Sequence, residues 1–255
     1  MSKNQGGKSN PLLAAERADR NRKILIQVAV AAVLVALIAA IGIGIAVKKN
    51  RKDDPGPTPS IAATAGAVPA SITDNGAVRV GKPDAKVTVR VVADLQCPAC
   101  KAFEAANGQV LEDAVASGTA VVEYNVIAFL DKASTTRYSS RAANASYCVA
   151  EADPSKYQAW LKTMYAQQPA EGGAGLPDDQ LVQIAKSAGY TDDAVAQCIT
   201  DHKYDKYVQA RTKEVLDSGI QSTPSVFVNG KKVETSQQIF GAGGLAPVIS
   251  AAAGQ

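Results

Sequence analysis

The chain has 255 residues, 46% of them hydrophobic, with a formal net charge of +3, four cysteines and one histidine. That length is enough to bury a substantial core in one domain. The positive excess sits at residues 1–23 and 48–54, whereas residues 55–255 carry 17 basic against 20 acidic side chains, which leaves no basic footprint for nucleic acid.

Lys3, Lys8, Arg17, Arg20, Arg22 and Lys23 make residues 1–23 a basic tail. The uncharged run Ile24 to Val47 follows, broken in polarity only by Gln27. As a helix this run is about 36 Å long, more than the ~30 Å hydrocarbon core of a bilayer. A cleaved signal peptide would have an apolar region of about 7–15 residues ending at small side chains. Here the run is longer and leads straight into Lys48-Lys49-Asn50-Arg51-Lys52, so a retained single-pass anchor in contact with membrane lipid is expected. Six basic residues before the span against four after it favour a cytoplasmic N-terminus. All four cysteines follow the span, and stable pairing needs an oxidising compartment, so the large domain is expected outside the membrane. Residues 48–72, with Pro55, Pro57, Pro59 and Pro69 among Gly, Ala, Ser and Thr, read as a tether.

The ordered part, residues 73–255, opens with a short strand near Ala77–Val80 and a turn at Gly81-Lys82-Pro83-Asp84. A buried strand is expected at about Lys86–Ala93, followed by a helix from the Cys97-Pro98-Ala99-Cys100 run to about Ala116. Pro98 suits a first helical turn, where its missing N–H has no cost. Gly118 ends the helix, and Thr119–Phe129, rich in Val, Ile and Tyr, is the next strand, giving a parallel β-α-β unit. Helix signals then dominate residues 134–217, with starts at Asp153-Pro154, Pro177-Asp178-Asp179 and Thr191-Asp192-Asp193, a stop at Gly189 and a loose loop at 171–175. Strand character returns at Ser225–Val228, turns at Asn229-Gly230 and runs back over Lys231–Glu234. A last apolar helix covers about Gly244–Ala253. The order reads as an α/β core split by an inserted helical domain.

Two thiols three apart where a strand feeds a helix can close a small disulfide ring. The partial positive charge of the helix start favours a Cys97 thiolate, and Cys100, one turn further in, is placed to attack a mixed disulfide at Cys97. The rival readings of the spacing are half of a zinc site and an inert disulfide. A structural zinc needs four ligands. Cys148 and Cys198 lie fifty positions apart and no second short-spaced pair exists. His202, between Asp201 and Lys203, reads as a surface helix-end residue. Copper delivery would want soft ligands beside the pair, and Met1 and Met164 are both distant in sequence. No metal is therefore expected, and the Cys97–Cys100 pair is expected to work without another cofactor.

Three separated runs now resemble the DsbA-like branch of the thioredoxin superfamily. They are Asp94-Leu95-Gln96-Cys97-Pro98-Ala99-Cys100-Lys101-Ala102-Phe103, Arg141 to Cys148, and Thr223-Pro224-Ser225-Val226-Phe227-Val228-Asn229-Gly230. The resemblance implies a thioredoxin-like fold over about residues 78–253, with Cys97 and Cys100 catalytic. It also implies a cis peptide at Thr223-Pro224 whose neighbouring backbone faces the cysteine pair and binds substrate chain. Two departures stand out. Strongly oxidising members often place histidine where this chain has Ala99. Many relatives also have a buried acid at the position of Val91, so no buried acid is expected beneath the pair. Asp94 is left open between a turn or capping role and proton transfer, and Cys97 is expected at an exposed helix start. Cys148, near Ala145 and Val149, and Cys198, near Val195 and Ile199, lie on apolar helix faces and read as a structural bridge. The function expected is a membrane-anchored oxidoreductase that introduces disulfides into unfolded or reduced exported proteins. Its reoxidant would be a membrane partner resembling DsbB or the vitamin K epoxide reductase-like proteins. A reductase or isomerase, and a tethered binding or metal-carrying module, are the alternatives.

Overall fold

The computed structural model describes residues 66–254; the basic tail, the apolar run 24–47 and the tether up to residue 65 lie outside the described residues. Among the described residues no helix is long and apolar enough to cross a membrane. Ile72, inside the stretch read as tether, already makes a β-bridge to Val78.

Five strands, β1 (Val78–Val80), β2 (Val87–Ala93), β3 (Ala120–Val126), β4 (Ser225–Val228) and β5 (Lys231–Lys232), form one sheet in the order β1-β3-β2-β4-β5. The central strands β2 and β3 run parallel, with Val87 opposite Ala120 and Ala93 opposite Val126, while β1 and β4 pair antiparallel with β3 and β2. Val87, Val89 and Val91 of β2 and Ala120, Val122, Tyr124 and Val126 of β3 face the core, while Thr88 and Arg90 on the other face of β2 are half-buried beside the buried Glu123 and Asn125 of β3. The link between them is helix α1 (Pro98–Ala116), with Pro98 in its first turn. Cys100, Phe103, Asn107, Leu111 and Ala114 are buried at helical spacing along α1. Asn107 receives the Leu245 N–H at 2.9 Å and donates to the Ile239 carbonyl at 2.8 Å, which ties α1 to the C-terminal segment.

Between β3 and β4 lie α2 (Tyr138–Ala152), α3 (Tyr157–Ala166), α4 (Asp178–Ser187), α5 (Asp193–Thr200) and α6 (Asp205–Asp217). Their ends follow local chemistry. Asp192 caps α5 by accepting the Ala194 N–H at 2.8 Å. Gly189 follows α4 at φ +92°, a conformation that would strain any side chain. Asp153-Pro154 differs from expectation in detail: Asp153 caps a single 3-10 turn, Pro154–Lys156, and α3 begins after it. The strand expected over 119–129 stops at Val126, because beyond Ile127 the backbone N–H groups bond to side chains rather than to the ladder. The sheet closes with the Asn229-Gly230 turn, both residues at positive φ. Two short helices follow, α7 (Ser236–Phe240), which the sequence reading missed, and α8 (Ala246–Ala253).

Candidate active site

The end of β2 turns through Asp94, Leu95 and Gln96 into α1, and Cys97 is the N-cap residue of that helix. Its carbonyl accepts the N–H groups of Cys100 at 3.0 Å and Lys101 at 3.2 Å, which leaves its sulfur at the positive end of the helix. The cis peptide Thr223-Pro224 lies directly ahead of β4, and Val92 on β2 pairs with Ser225 on β4, so the two loops meet at one end of the sheet. There the Cys97 thiol donates to the Thr223 carbonyl at 3.4 Å. Both thiols are free.

The two sulfurs have opposite chemistry. The Cys100 thiol donating to Cys97, against the opposing cost of burial, holds the Cys97 thiol down at about 6. Thr223 and the backbone N–H groups of Cys100 and Ala99 act in the same direction. Burial pushes the Cys100 thiol well above its ordinary value, and its hydrogen bond to Cys97 and the nearby Cys97 charge add to that. The Cys97 sulfur thus favours the thiolate and the Cys100 sulfur the thiol.

A family model described as thioredoxin matches residues 73–242. The crystal structure of reduced DsbA from Mycobacterium tuberculosis is 32% identical, covering 70% of this chain and 98% of that one with a TM-score of 0.56. The chain belongs to the DsbA-like branch of the thioredoxin superfamily. Oxidised BdbD from Bacillus subtilis, 23% identical with a TM-score of 0.60 over 74% of this chain and all of that one, shares the fold. The serine/threonine-protein kinase PknE of Mycobacterium tuberculosis is 32% identical over 146 residues, 55% of this chain. The chain spans about a quarter of the length of these curated kinase relatives.

Within this DsbA-like frame two expectations need correction. Cys97 is not at an exposed helix start; only 8% of it is accessible, and its thiol lies against the Thr223 carbonyl. The site also does not lack a buried acid. Val91 is apolar as read, but Asp94, three residues closer to the pair, is completely buried. Its carboxylate accepts from the Gln96 N–H at 2.7 Å, the Ser139 hydroxyl at 2.8 Å and the Leu130 N–H at 2.8 Å. Burial raises its pKa to about 6, those hydrogen bonds oppose the rise, and the Cys97 charge adds to it. The backbone N–H of Asp94 also faces the Cys100 sulfur. The residue therefore caps the turn and stands beside the buried thiol.

Pro98 is exposed and Ala99 half-buried at the mouth of the site. Away from it, Cys148 on α2 and Cys198 on α5 form a disulfide with Cα atoms 5.8 Å apart. His202 follows α5 and meets Asp178 at 2.8 Å, on the far side of an Arg141–Asp178 ion pair. Among the described residues no group of three or more His, Cys, Asp or Glu could hold a metal.

Three contributors escaped the sequence reading. Ser139 lies two residues ahead of the Arg141 run. Leu130 acts only through its backbone. Gln168, just after α3, donates from Nε2 to the carbonyls of Leu95 at 3.1 Å and Cys97 at 3.0 Å. None of them has a motif or periodicity to announce it; a buried aspartate needing donors was the available clue.

Proposed function

We propose that this DsbA-type thiol–disulfide oxidoreductase is an oxidase, held to the outer face of a membrane by residues 24–47, that donates its Cys97–Cys100 disulfide to exported proteins. The observation that carries the reading is the asymmetry of the pair, with Cys97 at the helix start against Thr223 and Cys100 fully buried behind it.

A substrate thiolate attacks Cys97 Sγ, the Cys97–Cys100 bond breaks, and the electron pair leaves on Cys100, which takes up a proton. In this reading Asp94, whose carboxyl titrates at about 6 and whose backbone N–H bonds to the Cys100 sulfur, is the candidate to pass that proton. A second substrate thiolate then attacks the substrate sulfur of the mixed disulfide, and Cys97 leaves as thiolate. The substrate loses two electrons and two protons, and the protein keeps the two electrons as a reduced pair. A thiol with a pKa near 6 is a good leaving group, which drives the second step toward release. The Thr223-Pro224 backbone is the surface on which substrate chain would lie. The reduced pair would be reoxidised by a membrane protein resembling DsbB or the vitamin K epoxide reductase-like proteins.

Thiol pKa values of about 7 in thioredoxin and about 3.5 in DsbA bracket Cys97, and their potentials are about −270 and −120 mV. The expected potential lies between them. A glutathione redox titration, run beside oxidation of a reduced unfolded substrate, tests this. An intermediate potential with substrate oxidation supports the oxidase. A potential at or below about −270 mV, with insulin reduction and no substrate oxidation, assigns the protein as a reductase instead.

A further inference from the structure

The helix α3 ends at Ala166, the Gln168 N–H still bonds back to the Tyr165 carbonyl at 3.2 Å, and Pro169 prevents another turn. Gln168 is thereby fixed, half-buried, at the point where the inserted helices meet the active-site loop. Its Nε2 reaches two carbonyls, Leu95 at 3.1 Å and Cys97 at 3.0 Å, one on each side of Gln96. The amide nitrogen, and not its oxygen, meets the two carbonyls, where the reverse flip would set oxygen against oxygen. The contact is reinforced nearby. The fully buried Gln96 donates from Nε2 to the Ala170 carbonyl at 3.4 Å, so the two segments hold each other from both sides.

Both carbonyls lead to reactive groups. The Cys97 carbonyl also accepts the Cys100 and Lys101 N–H groups, so fixing it fixes the first turn beneath the Cys97 sulfur. The Leu95 carbonyl shares a peptide with the Gln96 N–H, which donates to Asp94 Oδ1 at 2.7 Å. A donor on the carbonyl end of a peptide polarises its N–H end, so the Gln168 bond strengthens the hold on the Asp94 carboxylate.

We propose that Gln168 is a positioning residue for thiol–disulfide exchange, its side-chain amide setting both the Cys97 sulfur on the helix start and the Asp94 carboxylate in the turn ahead of it. This rests on the oxidoreductase reading above. It assigns the inserted helical domain a part in the chemistry, because the clamp is supplied by the insertion and received by the thioredoxin core.

The test compares wild type with Gln168→Leu, which keeps bulk but loses both donors, and with Gln168→Lys, which keeps a donor. Three readouts are taken: the pH dependence of thiolate absorbance at 240 nm in the reduced protein, the glutathione equilibrium constant, and the melting temperature. Loss of hydrogen bonding of this kind is worth about a factor of five, so Gln168→Leu should cut the Cys97 thiolate fraction at pH 6 by several-fold. The glutathione equilibrium should move the same way, toward a less oxidising pair. Gln168→Lys should keep the wild-type thiolate fraction or exceed it. A lower melting temperature with unchanged thiolate fraction and equilibrium constant in Gln168→Leu would reduce Gln168 to a structural strut and overturn the proposal. If Gln168→Leu does not fold, Gln168→Lys decides, and a thiolate fraction below wild type there would overturn it too. Failure of the underlying reading looks different: wild type itself would show no thiolate near pH 6 and no turnover.

Discussion

Asp94 gives a prediction whose sign can be worked through. Its carboxyl is completely buried and titrates at about 6 in the fold, against 3.8 for the ordinary group. Between those values the folded protein holds a proton that the unfolded chain has released. Its contribution to stability is therefore fully present below about pH 4 and is lost as pH rises through about 6. A displacement of about two pK units corresponds to roughly 3 kcal/mol. Asp94→Asn is isosteric with the protonated side chain and cannot ionise, but its NH2 group faces one of three donors, a conflict costing about 1–3 kcal/mol at every pH. Urea unfolding of the oxidised protein, in which Cys97 does not titrate and only its smallest-ranked raising effect on Asp94 is lost, at pH 4, 5, 6 and 7 separates the two effects. The variant should gain on wild type by about 2 to 2.5 kcal/mol between pH 4 and 7. Glu104, which burial raises to about 7, titrates alike in both proteins and cancels from the difference. Parallel curves across this range would refute the buried, elevated Asp94 and its suggested part in proton transfer.

The Cys148→Ser, Cys198→Ser double variant should lose stability while keeping most insulin reduction per folded molecule. The closed loop, with a sequence separation of 50, sets an upper bound of about 4 kcal/mol; an unchanged melting temperature under oxidising conditions would contradict the structural role. Ala99→His should place a cation near the Cys97 sulfur and lower its pKa by about one unit, which raises the potential by about 30 mV in glutathione titration. A fall in potential would exclude that reasoning. Protein expressed in full should stay with membranes through a carbonate wash and expose its cysteine domain to external protease. Recovery of a mature chain starting near Ser60–Ala65 would show cleavage instead.

The elements were legible wherever a single local rule decided them. Val87–Ala93 feeding Pro98, and Asn229-Gly230 between two extended runs, are set by β-branching, proline and positive φ. The cysteine pair was legible because its chemistry is local in sequence. Contacts across the fold were not. Asp94 was visible, yet its burial depends on Ser139 and Leu130, 45 and 36 positions away. Gln168 lies 71 positions from Cys97 and acts through a backbone carbonyl, which leaves no trace in the pattern of side chains. The α7 helix was missed because five residues are too few for a periodic face; Thr235 fixes its start by accepting the Gln238 N–H.

The central claim is that Cys97 is the reactive sulfur and Cys100 the sheltered one. The most direct test is the pH dependence of iodoacetamide modification of the reduced protein, with the labelled cysteine identified by peptide mapping. The account predicts label on Cys97 alone, with a midpoint near pH 6, and Cys97→Ser unreactive over the same range. Modification of Cys100 first, or a Cys97 midpoint at the ordinary thiol value of about 8.5 or above, would contradict it.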